Sequence, residues 1–157
     1  MTEDKEKETE LAVNVLLRAV DEQWNQIRHL EDQRATFTNI VIVVSVGIVG
    51  FIVQQGISIA IVPLAVMLIM LGLYGAIASA KFYERYRFHQ KHAAFWNKRI
   101  NQLAPKANLI ELGELASKEH LSQYAFISKM RVNTIWTTFN IIIAIVGIAL
   151  TILGLIK

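Results

Sequence analysis

The chain has no cysteine among its 157 residues. That excludes a disulfide framework, a Cys-containing zinc site and a thiol nucleophile, and leaves the redox compartment unmarked. Proline is almost as scarce, with two residues, and none of the eight glycines falls between Glu10 and Val46. Charge is scarce too, at 18% of residues, and three long stretches carry none. The glycine-rich loops of nucleotide hydrolases and dinucleotide enzymes are missing, as are a serine nucleophile elbow and the H-E-x-x-H metalloprotease pattern. The carboxylates Glu111 and Glu114 stand beside Gly113 with nothing nearby in sequence to tune them for acid–base work. The chain therefore reads as a non-enzyme, with no cofactor. The opening "MTEDKEKETE" is acidic and polar, unlike the basic start of a signal or transit peptide, so the first apolar segment is expected to stay in the mature protein.

What is present is apolar. Hydrophobic residues make up 54% of the chain and the mean hydropathy is +0.38, too apolar for a small soluble domain of ordinary make-up. Residues 36–54, 57–80 and 134–156 are each close to the ~20 helical residues that cross a hydrocarbon core of ~30 Å. None of the three holds a charged residue. The expected fold is all-α, an integral membrane protein with three transmembrane helices and long helical cytoplasmic extensions that form a bundle. The first two spans are joined by an uncharged turn around "QQGIS", and Pro63 is expected in the first turn of the second helix, where its missing N–H costs little.

Charge placement sets the expected topology. Residues 1–35 carry five Lys or Arg against nine Asp or Glu, whereas residues 81–133 carry ten against four. By the positive-inside tendency the basic region 81–133 faces the cytoplasm, the N-terminus lies on the same side, and the C-terminus lies outside.

The cytoplasmic parts keep helical periodicity. Val13, Leu17, Val20, Trp24 and Ile27 recur in steps of four and three and are expected to form the seam of the 1–35 amphipathic helix. In the second helix the same alternation runs through Gly72, Gly75, Ser79, Phe82, Tyr86, His89, Ala93, Trp96, Ile100 and Leu103 without a phase slip. One helix is therefore expected to reach Leu103, extending roughly 35 Å beyond Lys81 at 1.5 Å per residue. "APKANL" should break it, "IELGELA" reads as a short connecting helix, and Ser117 onward reads as a third long helix running into the last span.

Beside the seam lies a second stripe: Lys81, Arg85, Phe88, His92, Phe95 and Arg99, with Lys91 close by. Cations attract phosphates and ring faces stack on bases, so the stripe has the ingredients of a site for a nucleotide or short single strand. The same pattern also suits a membrane-surface face over anionic lipid headgroups, or a second packing face. Asp21, Glu22, Glu31 and Asp32 on the first helix offer it neutralisation within a bundle. His89 and His92, three apart, have no further ligand at metal spacing, and His89 falls on the seam.

The spans lack intramembrane acids and bases, the usual marks of proton-coupled transport. They do carry uncharged polar residues near one surface. Thr38 and Asn39 in the first span and Thr137 and Asn140 in the third are read as lining a vestibule around an oligomer axis, with Glu31 and Asp32 at its mouth favouring cations. Hydrogen bonding between helices is the competing use of the Thr and Asn side chains.

The hairpin of the first two spans followed by "KFYERYRFHQKHAAFWNKRI" resembles the SLATT-type membrane effectors of bacterial anti-phage systems. More narrowly it is similar to the membrane effectors of Hailong-type systems. The likeness covers roughly half the chain and lies in architecture and texture. It implies a bacterial inner-membrane channel assembled as a homo-oligomer, taken as a tetramer. It further implies a nucleotidyltransferase or sensor protein as partner, a nucleotide or oligonucleotide signal, and abortive infection through membrane depolarisation. The alternative is a non-conducting membrane anchor or adaptor that recruits a cytoplasmic protein.

Overall fold

The computed structural model describes residues 2–157, and these are helical with short turns and no strand. Four helices follow one another: α1 (Thr2–Gln55), α2 (Val62–Leu103), α3 (Leu109–Gln123) and α4 (Val132–Ile156). Of these, α1, α2 and α4 are long and apolar enough to cross a membrane.

Their ends follow from backbone chemistry. After Gln55 the chain turns at Gly56, whose φ of +71° is a conformation glycine adopts at no steric cost. Ser58 is extended and a single 3-10 turn, Ile59–Ile61, leads into α2. Pro63 is the second residue of α2, where the first four N–H groups lack intrahelical acceptors in any case. At the other end, Pro105 disfavours helical geometry at Ala104, which takes φ −126° and ψ 66°. Asn108 then adopts a left-handed conformation before α3, one that asparagine tolerates better than most side chains.

One expectation needs correction. α3 starts at Leu109 and runs through Ser117 to Gln123, and the helix then stops. A 3-10 turn, Ile127–Lys129, follows, and Met130 and Arg131 are extended before α4. A single helix from Ser117 into the last apolar segment does not form. The connecting stretch contains Tyr124, Phe126, Ile127 and Ser128, residue types of middling helix propensity that lose rotamer freedom or compete for backbone hydrogen bonds. No strong local preference carries the helix through, so packing at either end decides.

The residues group into two compact units, one combining the N-terminal stretch up to Leu30 with Glu84–Met130, the other combining Glu31–Tyr83 with Arg131–Lys157. The second unit holds the apolar parts of α1, α2 and α4 around a core of Val41, Ile52, Ile61, Leu68 and Ile143. α2 and α4 run antiparallel at very close range. A Cβ on Gly72 would stand 2.5 Å from the Ala144 nitrogen and 2.7 Å from the Asn140 carbonyl oxygen. One on Gly147 would meet Ile69 and Ala65 backbone atoms at 2.7 and 2.8 Å. Small residues thus let the two backbones approach, the usual basis of helix association where lipid removes the hydrophobic drive.

In the other unit the buried apolar residues are Val20 and Ile27 on α1 and Ala93 and Ile100 on α2. The expected α1 seam is right at those two α1 positions and at half-buried Val13, but its phase differs elsewhere. Leu17 and Trp24 are exposed, at 43% and 40%, and Leu16 and Gln23 take the inward places. The reason is polar. Gln23 Oε1 lies 2.7 Å from His89 Nδ1, so an amide rather than an indole faces the imidazole.

Candidate functional site

The long continuous α2 carries the basic and aromatic stripe. Lys81 belongs to the apolar unit and is exposed there. Arg85, Phe88, Lys91, His92, Phe95 and Arg99 belong to the other unit, and all are exposed except the half-buried His92. The seam residues on the neighbouring face, from Tyr86 to Leu103, are buried or half-buried. Helical spacing therefore separates an inward face from an outward one, and the stripe is the outward one.

Its rings contact one another along the helix. The Phe88 and His92 centroids are 4.2 Å apart, and His92 and Trp96 are 5.9 Å apart in an edge-on arrangement. His92 Nδ1 lies 2.9 Å from the Phe88 carbonyl oxygen, which fixes the ring against its own helix. Phe95 is left 71% exposed and Phe88 43%. These two open faces and the flanking cations are what a stacked base with its phosphate requires.

Two cations on this outward face bond to neutral amides rather than to carboxylates. Arg99 donates to the neutral Gln102 Oε1 at 3.0 Å and Arg87 to Gln90 Oε1 at 2.7 Å. Among the described residues Asp21 and Glu22, expected to neutralise the stripe from α1, show no ion pair with it; Glu22 accepts from Gln26 instead, at 2.7 Å. Lys98, beside the stripe, borders a groove of about 810 Å³ between α2 and α3 that also holds Asn97, Glu114, Ser117 and Lys118.

No family model, curated protein or solved structure matches this chain. The functional reading therefore rests on the residues themselves.

The six residues read as a vestibule do not share one surface. Glu31, Asp32 and Asn39 are exposed, Thr137 is half-buried, and Thr38 and Asn140 are 3% and 2% exposed. The last two are turned into the packing of their own unit. Thr38 Oγ1 donates to the Arg34 carbonyl oxygen at 2.8 Å, a back-bond common for threonine in helices. Asn140 Nδ2 donates to Ser79 Oγ at 3.3 Å and to the Trp136 carbonyl oxygen at 2.8 Å. Its amide occupies the space a Cβ of Gly75 would need. For Asn140 the interhelical use of a polar side chain is therefore the observed one.

Sequence reasoning missed the Gln23–His89 and Ser79–Asn140 partnerships. Ser79 and His89 stood on the α2 seam, and polar residues on an otherwise apolar seam are a signal to look for a partner. It missed equally that α3 has no buried residue and leaves Leu109, Leu112, Leu115 and Leu121 exposed.

Proposed function

We propose that the protein is an oligomeric membrane channel of a bacterial anti-phage system, opened by a nucleotide or short oligonucleotide and acting by depolarisation. The observation that carries this reading is the outward stripe on α2, with cations and open aromatic faces and, among the described residues, no ion pair to Arg85, Lys91 or Arg99. The three membrane-length helices support the membrane half of the proposal, and the SLATT-like texture of the sequence supports the defence half.

In this reading residues 81–133 and the N-terminus lie in the cytoplasm, and subunits pack around an axis. A polyanionic ligand binds across Arg85, Phe88, His92, Phe95 and Arg99. α2 has no helix break between this stripe and Gly72, so displacement at one end is passed along the same helix. Binding gates the channel only through different affinities for the closed and open states, and a hundredfold preference supplies ~2.7 kcal/mol of bias. With Thr38 and Asn140 committed to helix packing, the vestibule falls to Asn39, Thr137, Glu31 and Asp32. The ligand comes from a partner nucleotidyltransferase or is presented by a sensor protein.

The test is charge reversal at two exposed positions, Arg85→Glu with Arg99→Glu. Triggering by ligand should be lost while membrane insertion and assembly persist. Undiminished phage protection or toxicity in this variant rejects the stripe as the sensor.

A second reading is favoured by α3, whose exposed leucines suit a protein partner. As a membrane adaptor the chain would show no conductance, and α3 substitutions such as Leu112→Ser with Leu115→Ser would abolish recruitment.

A further inference from the structure

Helix α3 lies beside α2 without burying any of its own residues. In the groove of about 810 Å³ between them, Ala94, Asn97 and Lys98 stand on the α2 wall, with Ile110, Gly113 and Leu121 on the α3 wall. Ile110 and Leu121 stay exposed, and a Cβ on Gly113 would meet nothing within 4 Å. The apolar face that α3 turns toward α2 is therefore not filled by α2. All of these residues belong to one unit. The groove also bears charge. Lys98 and Lys118 line it and are exposed, and among the described residues neither forms an ion pair. Glu114 is the acid on its wall.

The other side of α3 has the reverse character. At about 100° per residue, Leu112, Leu115 and Glu119 fall on the side turned from the groove, with Glu111 beside them. None of the four lines the groove. Leu112 and Leu115 are 57% and 54% exposed. Glu111 accepts from Asn108 Nδ2 at the start of the helix, and the Glu119 carboxylate has no partner among the described residues. This ridge carries two leucines and two acids, and no base.

We propose that the α3 ridge of one copy of the chain seats in the α2–α3 groove of a second copy. The inference rests on the membrane-oligomer reading above and deepens it by assigning the contact between subunits. Leucines of the ridge cover the aliphatic wall, and its acids meet Lys98 and Lys118. The pairs, being exposed, set register and partner choice, while apolar burial supplies most of the affinity. At 1.5 Å per residue the ridge from Glu111 to Glu119 spans ~12 Å, within the ~18 Å of groove wall from Leu109 to Leu121. A fatty acid could lie in the groove, but its carboxylate would approach Glu114 and the leucine ridge would stay bare. A second copy covers both surfaces with one contact. Ridge and groove are different surfaces, so the contact is heterologous, and such contacts repeat around a ring when the rotation closes.

The full-length protein in lipid nanodiscs provides the test, read by mass photometry and by crosslinking. Reversing the ridge, Glu111→Lys with Glu119→Lys, or the groove, Lys98→Glu with Lys118→Glu, should each weaken association about tenfold. All four changes in one chain should restore it, which damage to α3 could not do. Because the chain has no native cysteine, copies bearing Leu115→Cys should link through a short bis-maleimide to copies bearing Ala94→Cys, and not to one another. An oligomer unmoved by both reversals, a fourfold variant that stays weak, or cysteine copies that fail to link while the protein is oligomeric overturns this interface and leaves the channel reading standing. A monomeric wild-type protein overturns both.

Discussion

Substituting alanine for Gly72 places a methyl group where two backbone atoms already stand. The new Cβ would lie 2.5 Å from the Ala144 nitrogen and 2.7 Å from the Asn140 carbonyl oxygen, whereas ordinary contacts fall at 3.4–4 Å. Neither obstacle can rotate aside, so α2 and α4 must part by roughly 1 Å, and gaps of that size forfeit about a quarter to a half of each affected dispersion contact. The loss spreads to the neighbouring close contacts at Gly147 and Gly75. Overpacking of this kind costs about 1–3 kcal/mol, and the upper end applies where the obstacle is backbone. Against it stands a helix-propensity gain of about 1 kcal/mol from glycine to alanine. The net expectation is a destabilisation of about 2 kcal/mol, the overpacking term less the propensity term. Gly47→Ala is the matched control, because its Cβ meets nothing within 4 Å. Unfolding in mixed micelles, followed by circular dichroism against the mole fraction of denaturing detergent, gives both values. If Gly72→Ala is as stable as Gly47→Ala, the α2–α4 contact is not as described and the reasoning fails.

Three further outcomes follow. Ser79→Ala and Asn140→Leu, alone and combined, should show a coupling of about 0.6–1.7 kcal/mol in a double-mutant cycle, the range for hydrogen bonds between membrane helices; a coupling of zero removes the bond. Gln23→Leu combined with His89→Leu should be less destabilising than the sum of the two single changes, because each alone strands a half-buried polar partner; strict additivity in thermal melts would deny the pair. Limited chymotrypsin digestion should cut first between α3 and α4, where Phe126 is 80% exposed outside any α-helix, and a first cut inside the 132–156 helix would contradict the break.

Much of the helical framework is legible in the sequence, because long runs without glycine or proline and a sustained 3,4 alternation leave few alternatives. Gly56 and the pair Ala104–Pro105 punctuate it openly. The phase of the α1 seam is less legible. Leu16 and Leu17 are adjacent and equally apolar, and Gln23 is chosen over Trp24 by an imidazole far away in sequence, which no local pattern contains. The stop after Gln123 has no glycine or proline to announce it. Among the candidate site residues, spacing sets the α2 stripe apart from the seam, but a second packing face has the same spacing, and the exposure of Arg85, Phe88, Lys91, Phe95 and Arg99 decides between them. The fates of Thr38 and Asn140 do not follow from spacing either, since residue type marks them as polar while the packing of α4 on α2 decides that Asn140 meets Ser79 and Gly75.

The central claim is a ligand-opened conductance, and the most direct measurement is ion flux from liposomes containing the purified protein. Flux should be absent without ligand and appear with one member of a panel of short oligonucleotides and cyclic nucleotides, and it should vanish in the Arg85→Glu, Arg99→Glu variant. Tight liposomes under every condition, with assembly and ligand binding verified in the same samples, would contradict the channel and leave the adaptor reading in its place.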